Sequence, residues 1–362
     1  MIPIAKPLLG EEEKLAVAKV LESGMISSGH KTEEFEKKFA EFIGVKYAIA
    51  TSSGTTALHL GLLTLGVKKG DEVIAPDFSF IATANSPLFC QATPVFCDVD
   101  AKTFNIDPEK IKKLITNKTK AIMPVHLYGQ AADMKFILEI SEKLGKNIIG
   151  DSCQAHGATY DEKMVGSFGD LECFSFYPTK NMTTGEGGMI TTNNEEIAEK
   201  AISLRNHGRE KTKWGYEHGC LGYNYRMTDI AAAIGIEQLK KLPKFNEMRK
   251  RNAQFFNENL TGVEIPYLLQ NAKHVYHQYT IKSKNRDSII QNLKKNEIGF
   301  GIYYPKPLHF YKHLKKYAHN NLKNSESLVN EVLSLPVHPA LSTQDLEKIV
   351  KVVNEVSQSP YK

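Results

Sequence analysis

Short apolar runs alternate with amphipathic stretches over the first two thirds of this 362-residue chain, and this alternation constrains the fold more than any other feature. The runs are rich in β-branched residues and are bounded by Gly, Asp and Pro, which is typical of strands. The predicted strands cover residues 46–51, 71–76, 93–100, 120–129, 146–151, 170–178 and 187–192. The predicted helices cover residues 56–65, 133–144 and 195–205. Strands and helices in this order predict an α/β fold with a mostly parallel sheet covered on both faces.

The pattern changes near residues 239–250, a lysine-rich stretch with apolar residues at helical spacing. After it come an apolar run (QYTIKSK), a helical run (SIIQNLKKNE) and a final amphipathic helix at residues 344–356, which is typical of an α+β domain. We therefore predict a large three-layer domain at residues 1–239 and a smaller C-terminal domain at residues 240–362. The first part of the chain, about 12 residues, is expected to pack with the smaller domain.

Composition limits the class of protein and of partner. The net charge of +5 falls short of the dense basic face of a nucleic-acid-binding protein. The N-terminus has no signal-peptide pattern, and the uncharged run at residues 78–97 contains Asn85 and two prolines, so we expect no membrane segment. Five cysteines without a CxxC pair favour a reducing, cytoplasmic setting and give no metal-binding motif.

Polar residues follow several predicted strands, at the sheet edge where open α/β proteins bind ligands. After the first strand, the sequence SSGTTALHL places Gly54, Thr55 and Thr56 at the start of an apolar helix. Free N–H groups and hydroxyls at such a start form a phosphate cradle, although Ser and Thr also serve as ordinary helix caps.

Three other residues at this edge point to a planar cofactor. Asp151 ends an apolar strand, where a carboxylate either keeps a heteroaromatic nitrogen protonated or serves as a helix cap or ion-pair partner. Lys180 lies between an apolar strand and a glycine-rich turn, where a partly desolvated amine can form a Schiff base, although most lysines are solvated surface charges. Phe80 could stack on a ring, although core packing is the commoner role of phenylalanine. Together with the phosphate cradle, these residues predict pyridoxal 5′-phosphate (PLP) as the cofactor.

Four long motifs occur in a fixed order along the chain: SGMISSGHKTEEFEKKFAEFIG, SSGTTALHLGL, TKAIMPVHLYGQAADM and GYNYRMTDIAAAIGIEQL. In these motifs the chain resembles the DegT/DnrJ/EryC1/StrS family of sugar aminotransferases. The resemblance implies the PLP-dependent transferase fold of type I. The chain departs from the family pattern at Met25 and His30, where members commonly have an aromatic residue and a proline, and this departure affects the expected sugar contacts there.

The resemblance also implies a role for each matching residue. Lys180 would hold PLP as a Schiff base and move the proton between the cofactor and substrate carbons. Asp151 would pair with the pyridine nitrogen, Gln154 would lie near the ring hydroxyl, and Phe80 would stack on the ring. The remaining assignments are Gly54, Thr55, Thr56 and Ser175 at the phosphate, Asn224 reaching the phosphate from the partner subunit of a homodimer, and Tyr304, Lys306 and His309 at the nucleotide sugar.

By the same resemblance, the protein would transfer an amino group from an amino acid, with L-glutamate expected, to a nucleotide-linked ketosugar in amino-sugar and surface polysaccharide synthesis. Lys180 favours transamination, because sugar dehydratases of the family have histidine there. Two alternatives stay open: a cyclitol aminotransferase of the scyllo-inosose type, and a non-catalytic regulatory protein. The choice between C3 and C4 of the sugar and the identity of the nucleotide also stay open.

Overall fold

The computed structural model describes residues 1–318 and 321–357. Its strands are β1 (Tyr47–Thr51), β2 (Glu72–Pro76), β3 (Thr93–Cys97), β4 (Thr119–Ile122), β5 (Asn147–Asp151), β6 (Thr159–Tyr160), β7 (Lys163–Met164), β8 (Leu171–Ser175), β9 (Gly188–Thr192), β10 (Arg209–Thr212), β11 (Gly215–His218), β12 (Ala272–Lys273), β13 (Tyr279–Lys282) and β14 (Val332–Leu335). Its helices are α1 (Glu11–Ser23), α2 (His30–Ile43), α3 (Gly54–Thr64), α4 (Ile81–Phe89), α5 (Pro108–Ile111), α6 (Met134–Leu144), α7 (Glu195–Arg205), α8 (Asp229–Asn259), α9 (Arg286–Lys295), α10 (Lys323–Leu328) and α11 (Thr343–Ser357).

The central sheet has seven strands in the order β1-β9-β8-β5-β4-β2-β3. They all run in the same direction except β9, which pairs antiparallel with β1 and β8. Alternate residues of β8 face opposite sides: Leu171 and Cys173 pack in a cluster with α3 and α7, while Phe174 packs in a cluster with α2 and α8. The sheet is therefore covered on both faces, and the predicted mostly parallel α/β sheet is confirmed.

The fourth strand is shorter than the predicted span of residues 120–129. β4 ends at Ile122, and Leu127–Gly129 forms a 3₁₀ turn. Pro124 has no N–H group to donate to a neighbouring strand, although its carbonyl still accepts a hydrogen bond from the Asp151 N–H at 2.8 Å. The end of β5 is thus held by the segment that follows β4.

The helix predicted at residues 133–144 begins one residue later, at Met134. Asp133 occupies the N-cap position, but its side chain makes no capping hydrogen bond. Its carboxylate instead accepts a hydrogen bond from the Tyr160 hydroxyl at 2.6 Å. Asp133 is therefore an N-cap by position only, and its side chain makes a tertiary contact.

The C-terminal part of the chain has its own apolar cluster and a two-stranded sheet of β13 and β14. Ile2 belongs to this cluster and pairs with Ile298 through an isolated bridge. Residue 239, the predicted domain boundary, lies inside the continuous helix α8, so the division at that residue stays a prediction. The predicted second domain also includes residues 319–320 and 358–362, which lie outside the described residues. Among the helices of the described residues, none is both long and apolar enough to cross a membrane.

Candidate active site

Four loops that follow parallel strands meet at one edge of the central sheet. They follow β1, β2, β5 and β8, whose carboxyl ends lie at the same edge because these strands run in one direction. These strand ends and the segments after them carry most of the predicted cofactor residues: Gly54, Thr55, Thr56, Phe80, Asp151, Gln154, Ser175 and Lys180.

Asp151 is the last residue of β5 and is only 5% exposed. Its Oδ2 accepts a hydrogen bond from the Thr83 hydroxyl at 2.8 Å, and its Oδ1 accepts one from the Cys153 N–H at 3.3 Å. The Thr83 hydroxyl also lies 2.8 Å from the Ser79 hydroxyl. These contacts hold the carboxylate in one orientation, as a group that stabilises a protonated ring nitrogen requires.

Lys180 lies in the turn after β8, where its backbone N–H donates to the Tyr177 carbonyl at 2.9 Å. Burial lowers the pKa of the Lys180 amine, and the nearby Cys153 and Asp151 oppose that shift. No carboxylate in residues 1–318 or 321–357 forms an ion pair with this amine. A half-buried amine with a lowered pKa is deprotonated more easily than a surface lysine, so it is a better nucleophile.

The two threonine hydroxyl groups at the start of α3 differ in their hydrogen bonding. Ser53 and Thr56 form a capping box: the Ser53 hydroxyl accepts from the Thr56 N–H at 3.2 Å, and the Thr56 hydroxyl accepts from the Ser53 N–H at 2.9 Å. Thr56 therefore serves as a local cap, the ordinary alternative for this motif. The Thr55 hydroxyl makes no hydrogen bond within the described part of the chain, which leaves it available to a ligand.

Gly54 brings this helix start against the ends of two other strands. A Cβ atom at Gly54 would lie 2.6 Å from Ser175 Cβ and 3.0 Å from Cys153 Sγ. Gly54, Ser175 and Cys153 therefore form one close-packed corner, although they are far apart in the sequence. Burial raises the pKa of the Cys153 thiol, which suits an inert neighbour better than a nucleophile.

We expect Gly54→Ala to weaken PLP binding and to destabilise the protein by about 1–3 kcal/mol, because the new methyl group would overpack this corner. PLP titration followed by absorbance and thermal unfolding of the cofactor-free protein would measure the two effects. Gly61→Ala, on the same helix, is the matched control. Its Cβ would meet the flexible ends of Ile149 and Leu171, so it should destabilise the protein without a specific loss of PLP affinity. Unchanged PLP affinity in Gly54→Ala would contradict the cradle assignment.

Gln154 and Phe80 are linked through Tyr304. Gln154 Oε1 accepts a hydrogen bond from the Tyr128 N–H at 2.8 Å, and Gln154 Nε2 donates to the Tyr304 hydroxyl at 2.9 Å. The Phe80 side chain is 53% exposed, and its ring lies 6.2 Å from that of Tyr304. An exposed aromatic ring beside polar side chains is suited to stacking on a planar ligand.

The other predicted site residues, at the substrate and at the partner's phosphate, differ in their surroundings. Lys306 is exposed. His309 is 6% exposed, and its ring contacts Asp77 at 2.6 Å. Asn224 is exposed, its backbone pairs with Asn206, and its side chain makes no hydrogen bond among the described residues. The structure thus brings Tyr304 to the site and leaves the roles of Lys306, His309 and Asn224 as predictions.

Sequence reasoning missed three residues that hold the site together: Thr83, Tyr128 and Asp77. Thr83 lies in the first turn of α4, and its hydroxyl contacts that of Ser79, which precedes the helix. Two hydroxyl residues four positions apart at a helix start are the one sequence signal for it. The sequence around Tyr128 does not reveal its contact with the site, because its hydrogen-bond partner Gln154 lies 26 residues away. No group of three or more His, Cys, Asp or Glu residues able to hold a metal ion occurs in the described part of the chain.

The chain is similar to aminotransferases over nearly its whole length. It is 41% identical to a GDP-perosamine synthase of Caulobacter vibrioides, over 98% of each chain. It is 39% identical to a UDP-N-acetyl-3-dehydro-α-D-glucosamine 3-aminotransferase of Acidithiobacillus ferrooxidans, over 95% of this chain and 94% of that one. The protein Spr1654 of Streptococcus pneumoniae, described as a sugar aminotransferase and solved in its PLP form, superposes with a TM-score of 0.94 at 30% identity, over 99% of this chain and 98% of that one.

These structural matches confirm the predicted fold class, the PLP-dependent transferase fold of type I with a large αβα domain and a smaller α+β domain. The family profile matches residues 7–354. The chain belongs to the DegT/DnrJ/EryC1/StrS aminotransferase family.

Proposed function

We propose that this protein is a PLP-dependent aminotransferase that moves an amino group from an amino acid, with L-glutamate as the expected donor, to a nucleotide-linked ketosugar. The observation that carries this proposal is the Lys180 amine, half-buried and of lowered pKa, within electrostatic reach of the Asp151 carboxylate. The names of two relatives, a GDP-perosamine synthase and a UDP-linked 3-dehydrosugar aminotransferase, support a nucleotide sugar as the acceptor. Its product would serve amino-sugar and surface polysaccharide synthesis.

The residues present fit PLP. Gly54 has no side chain and so lets the start of α3 lie close against Ser175, and Thr55 offers a free hydroxyl at the same helix start. Asp151 would hold the ring nitrogen, and Lys180 Nζ would bond the aldehyde carbon in the resting enzyme. When bound, PLP supplies the electron sink that allows an amino acid to lose its α-proton.

The chain's own residues then have distinct tasks in the reaction. Asp151, held by Thr83 and by the Cys153 N–H, would keep the ring nitrogen protonated. Lys180 Nζ, once released, would accept the α-proton of the donor and return a proton to the adjacent carbon. The donor would leave as its 2-oxo acid before the ketosugar enters, so we expect ping-pong kinetics.

We also propose a homodimer with shared active sites. The hairpin of β10 and β11 is exposed along its whole length, and it carries Trp214 at its turn, 88% exposed. Leu221 and Asn224 follow in the same exposed stretch. An exposed stretch with large apolar side chains is typical of a protein contact, and it supports the assignment of Asn224 to a partner's phosphate site. The five unpaired cysteines support a cytoplasmic location.

Single-turnover assays test the proposed function. We expect purified protein to bind PLP, and L-glutamate to convert the bound PLP to pyridoxamine phosphate with release of 2-oxoglutarate. The pyridoxamine form should then react with a ketosugar linked to GDP, UDP or dTDP, and 3-keto and 4-keto sugars should be compared. Reaction with a cyclitol ketone such as scyllo-inosose and with no nucleotide sugar would contradict the proposed acceptor. A protein that binds no PLP would contradict the proposed enzyme.

A further inference from the structure

A buried carboxylate that the sequence did not single out, Asp77, holds the segment that carries Tyr304. Asp77 directly follows β2, and it is 0% exposed. Its Oδ1 accepts a hydrogen bond from the His309 N–H at 3.0 Å, and its Oδ2 lies 2.6 Å from His309 Nδ1. Its backbone carbonyl accepts from the Leu308 N–H at 2.8 Å. Residues 308 and 309 are therefore fixed to the end of β2.

The second ring nitrogen of His309 also has a carboxylate neighbour. His309 Nε2 lies 3.3 Å from Glu326 Oε1 on α10, so both ring nitrogens face carboxylates. Burial raises the pKa of Asp77 to about 6, and His309 opposes this shift. The imidazole thus favours the charged form of a carboxylate that has no contact with water. Little of the ring is left to contact a substrate.

The other end of the same segment is attached to the candidate cofactor site. The Tyr128 hydroxyl donates a hydrogen bond to the Tyr303 carbonyl, and Gln154 Nε2 donates to the Tyr304 hydroxyl at 2.9 Å. The Tyr304 ring also packs beside Phe80, three residues after Asp77. The loop at residues 77–80 and the segment at residues 303–309 are therefore linked at both ends.

We propose that Asp77 and His309 are positioning residues for the transamination, whose hydrogen bonds fix the segment so that Tyr304 holds Gln154 and Phe80 in place for the cofactor ring. This inference rests on the proposed function. Under this proposal His309 acts indirectly on the cofactor ring, in place of the direct contact with the sugar that the resemblance implied. Asp77, which is fully buried, acts only through His309 and the backbone of residues 308–309.

The test compares Asp77→Asn with Tyr304→Phe, using PLP absorbance as the readout. Asp77→Asn keeps a hydrogen-bond acceptor for the His309 N–H but removes the negative charge of the carboxylate that lies beside the His309 ring. We expect it to weaken PLP binding about tenfold, the scale of one charge-assisted hydrogen bond. It should also shift the absorption maximum of bound PLP in the same direction as Tyr304→Phe does. His309→Gln is a second variant with the same expected shift, since its backbone still bonds Asp77.

Asp98→Asn is the matched control. Asp98 is also buried, follows the neighbouring strand β3, and bonds Ser325 on α10 and Lys110, but it makes no bond to residues 303–309. We expect this variant to lower the unfolding temperature and to leave the PLP spectrum and affinity unchanged. A spectral shift in Asp77→Asn without one in Asp98→Asn would separate positioning from general destabilisation.

A double-mutant cycle completes the test. If Asp77 and His309 act as one unit, combining Asp77→Asn with His309→Gln should weaken PLP binding no more than either change alone. The inference would be overturned if Asp77→Asn kept the wild-type spectrum and affinity while His309→Gln raised only the KM for the nucleotide sugar, because His309 would then contact the sugar directly. Failure of the proposed function looks different, since the unmodified protein would then bind no PLP.

Discussion

Replacing Lys180 with alanine is expected to lower kcat for transamination by about 10⁴-fold or more, the upper end of the range for a positioned proton-transfer group. The variant would lose the amine proposed both to bond the cofactor and to move the α-proton. Because burial lowers the pKa of the free Lys180 amine, the cofactor-free protein should bond PLP faster as the pH rises and this amine loses its proton, at a pH below that of an ordinary lysine.

The measurement is the rate at which L-glutamate converts bound PLP, followed by absorbance. Borohydride reduction should attach PLP to Lys180 in the unmodified protein and to no residue in Lys180→Ala. An exposed lysine supplies the matched control, Lys163→Ala, which should keep both the activity and the covalent label. Partial rescue of Lys180→Ala by an added primary amine would support a proton-transfer role. Full activity without rescue would refute the assignment of Lys180.

Asp151→Asn is the second change for which we expect a large effect, a loss in kcat of about 10³-fold, comparable with the loss of one preorganised electrostatic contact in an active site. The amide keeps an oxygen that accepts from the Thr83 hydroxyl, so the local structure should persist. It carries no negative charge to keep the ring nitrogen protonated, so the cofactor would be a weaker electron sink.

The rate of α-proton exchange from deuterated L-glutamate would measure this step directly. PLP should still bind to Asp151→Asn as a Schiff base, because Lys180 is unchanged. Asp161→Asn, at an exposed turn with φ of 47°, provides the control and should leave exchange unaffected, since asparagine tolerates this backbone conformation. If Asp151→Asn exchanged the α-proton at the unmodified rate, the role of Asp151 as the partner of the ring nitrogen would be wrong.

Much of the fold was predictable because its signals are local. The apolar runs that became β1, β2, β5 and β9 begin within one residue of their expected positions, and α7 has the expected bounds. The predicted bounds that differ from the structure include the end of a strand near a proline and the start of a helix at its N-cap. The run at residues 120–129 looked like one strand, yet β4 stops at Ile122, two residues before Pro124.

The positions of Asp151 at the end of β5 and of Lys180 in the turn after β8 could also be predicted, because parallel strands bring their carboxyl ends to one edge of the sheet. Their residue types then indicated the chemistry. Thr56 shows the limit of such reasoning: a hydroxyl at a helix start serves a phosphate or a cap, and only the structure shows it in the capping box with Ser53.

The sequence by itself determined the α/β order of elements and the family, and it indicated the lysine and carboxylate that we propose for the reaction. The tertiary structure decided how distant segments meet: Gly54 against Ser175, Gln154 bonded to Tyr304 across 150 residues, and Asp77 bonded to His309 across 232 residues. Hydrogen bonds between side chains so far apart leave no periodic trace in a single sequence, because they depend on how complete elements pack. For this reason His309 was predictable as a residue near the site, while its burial between two carboxylates was not.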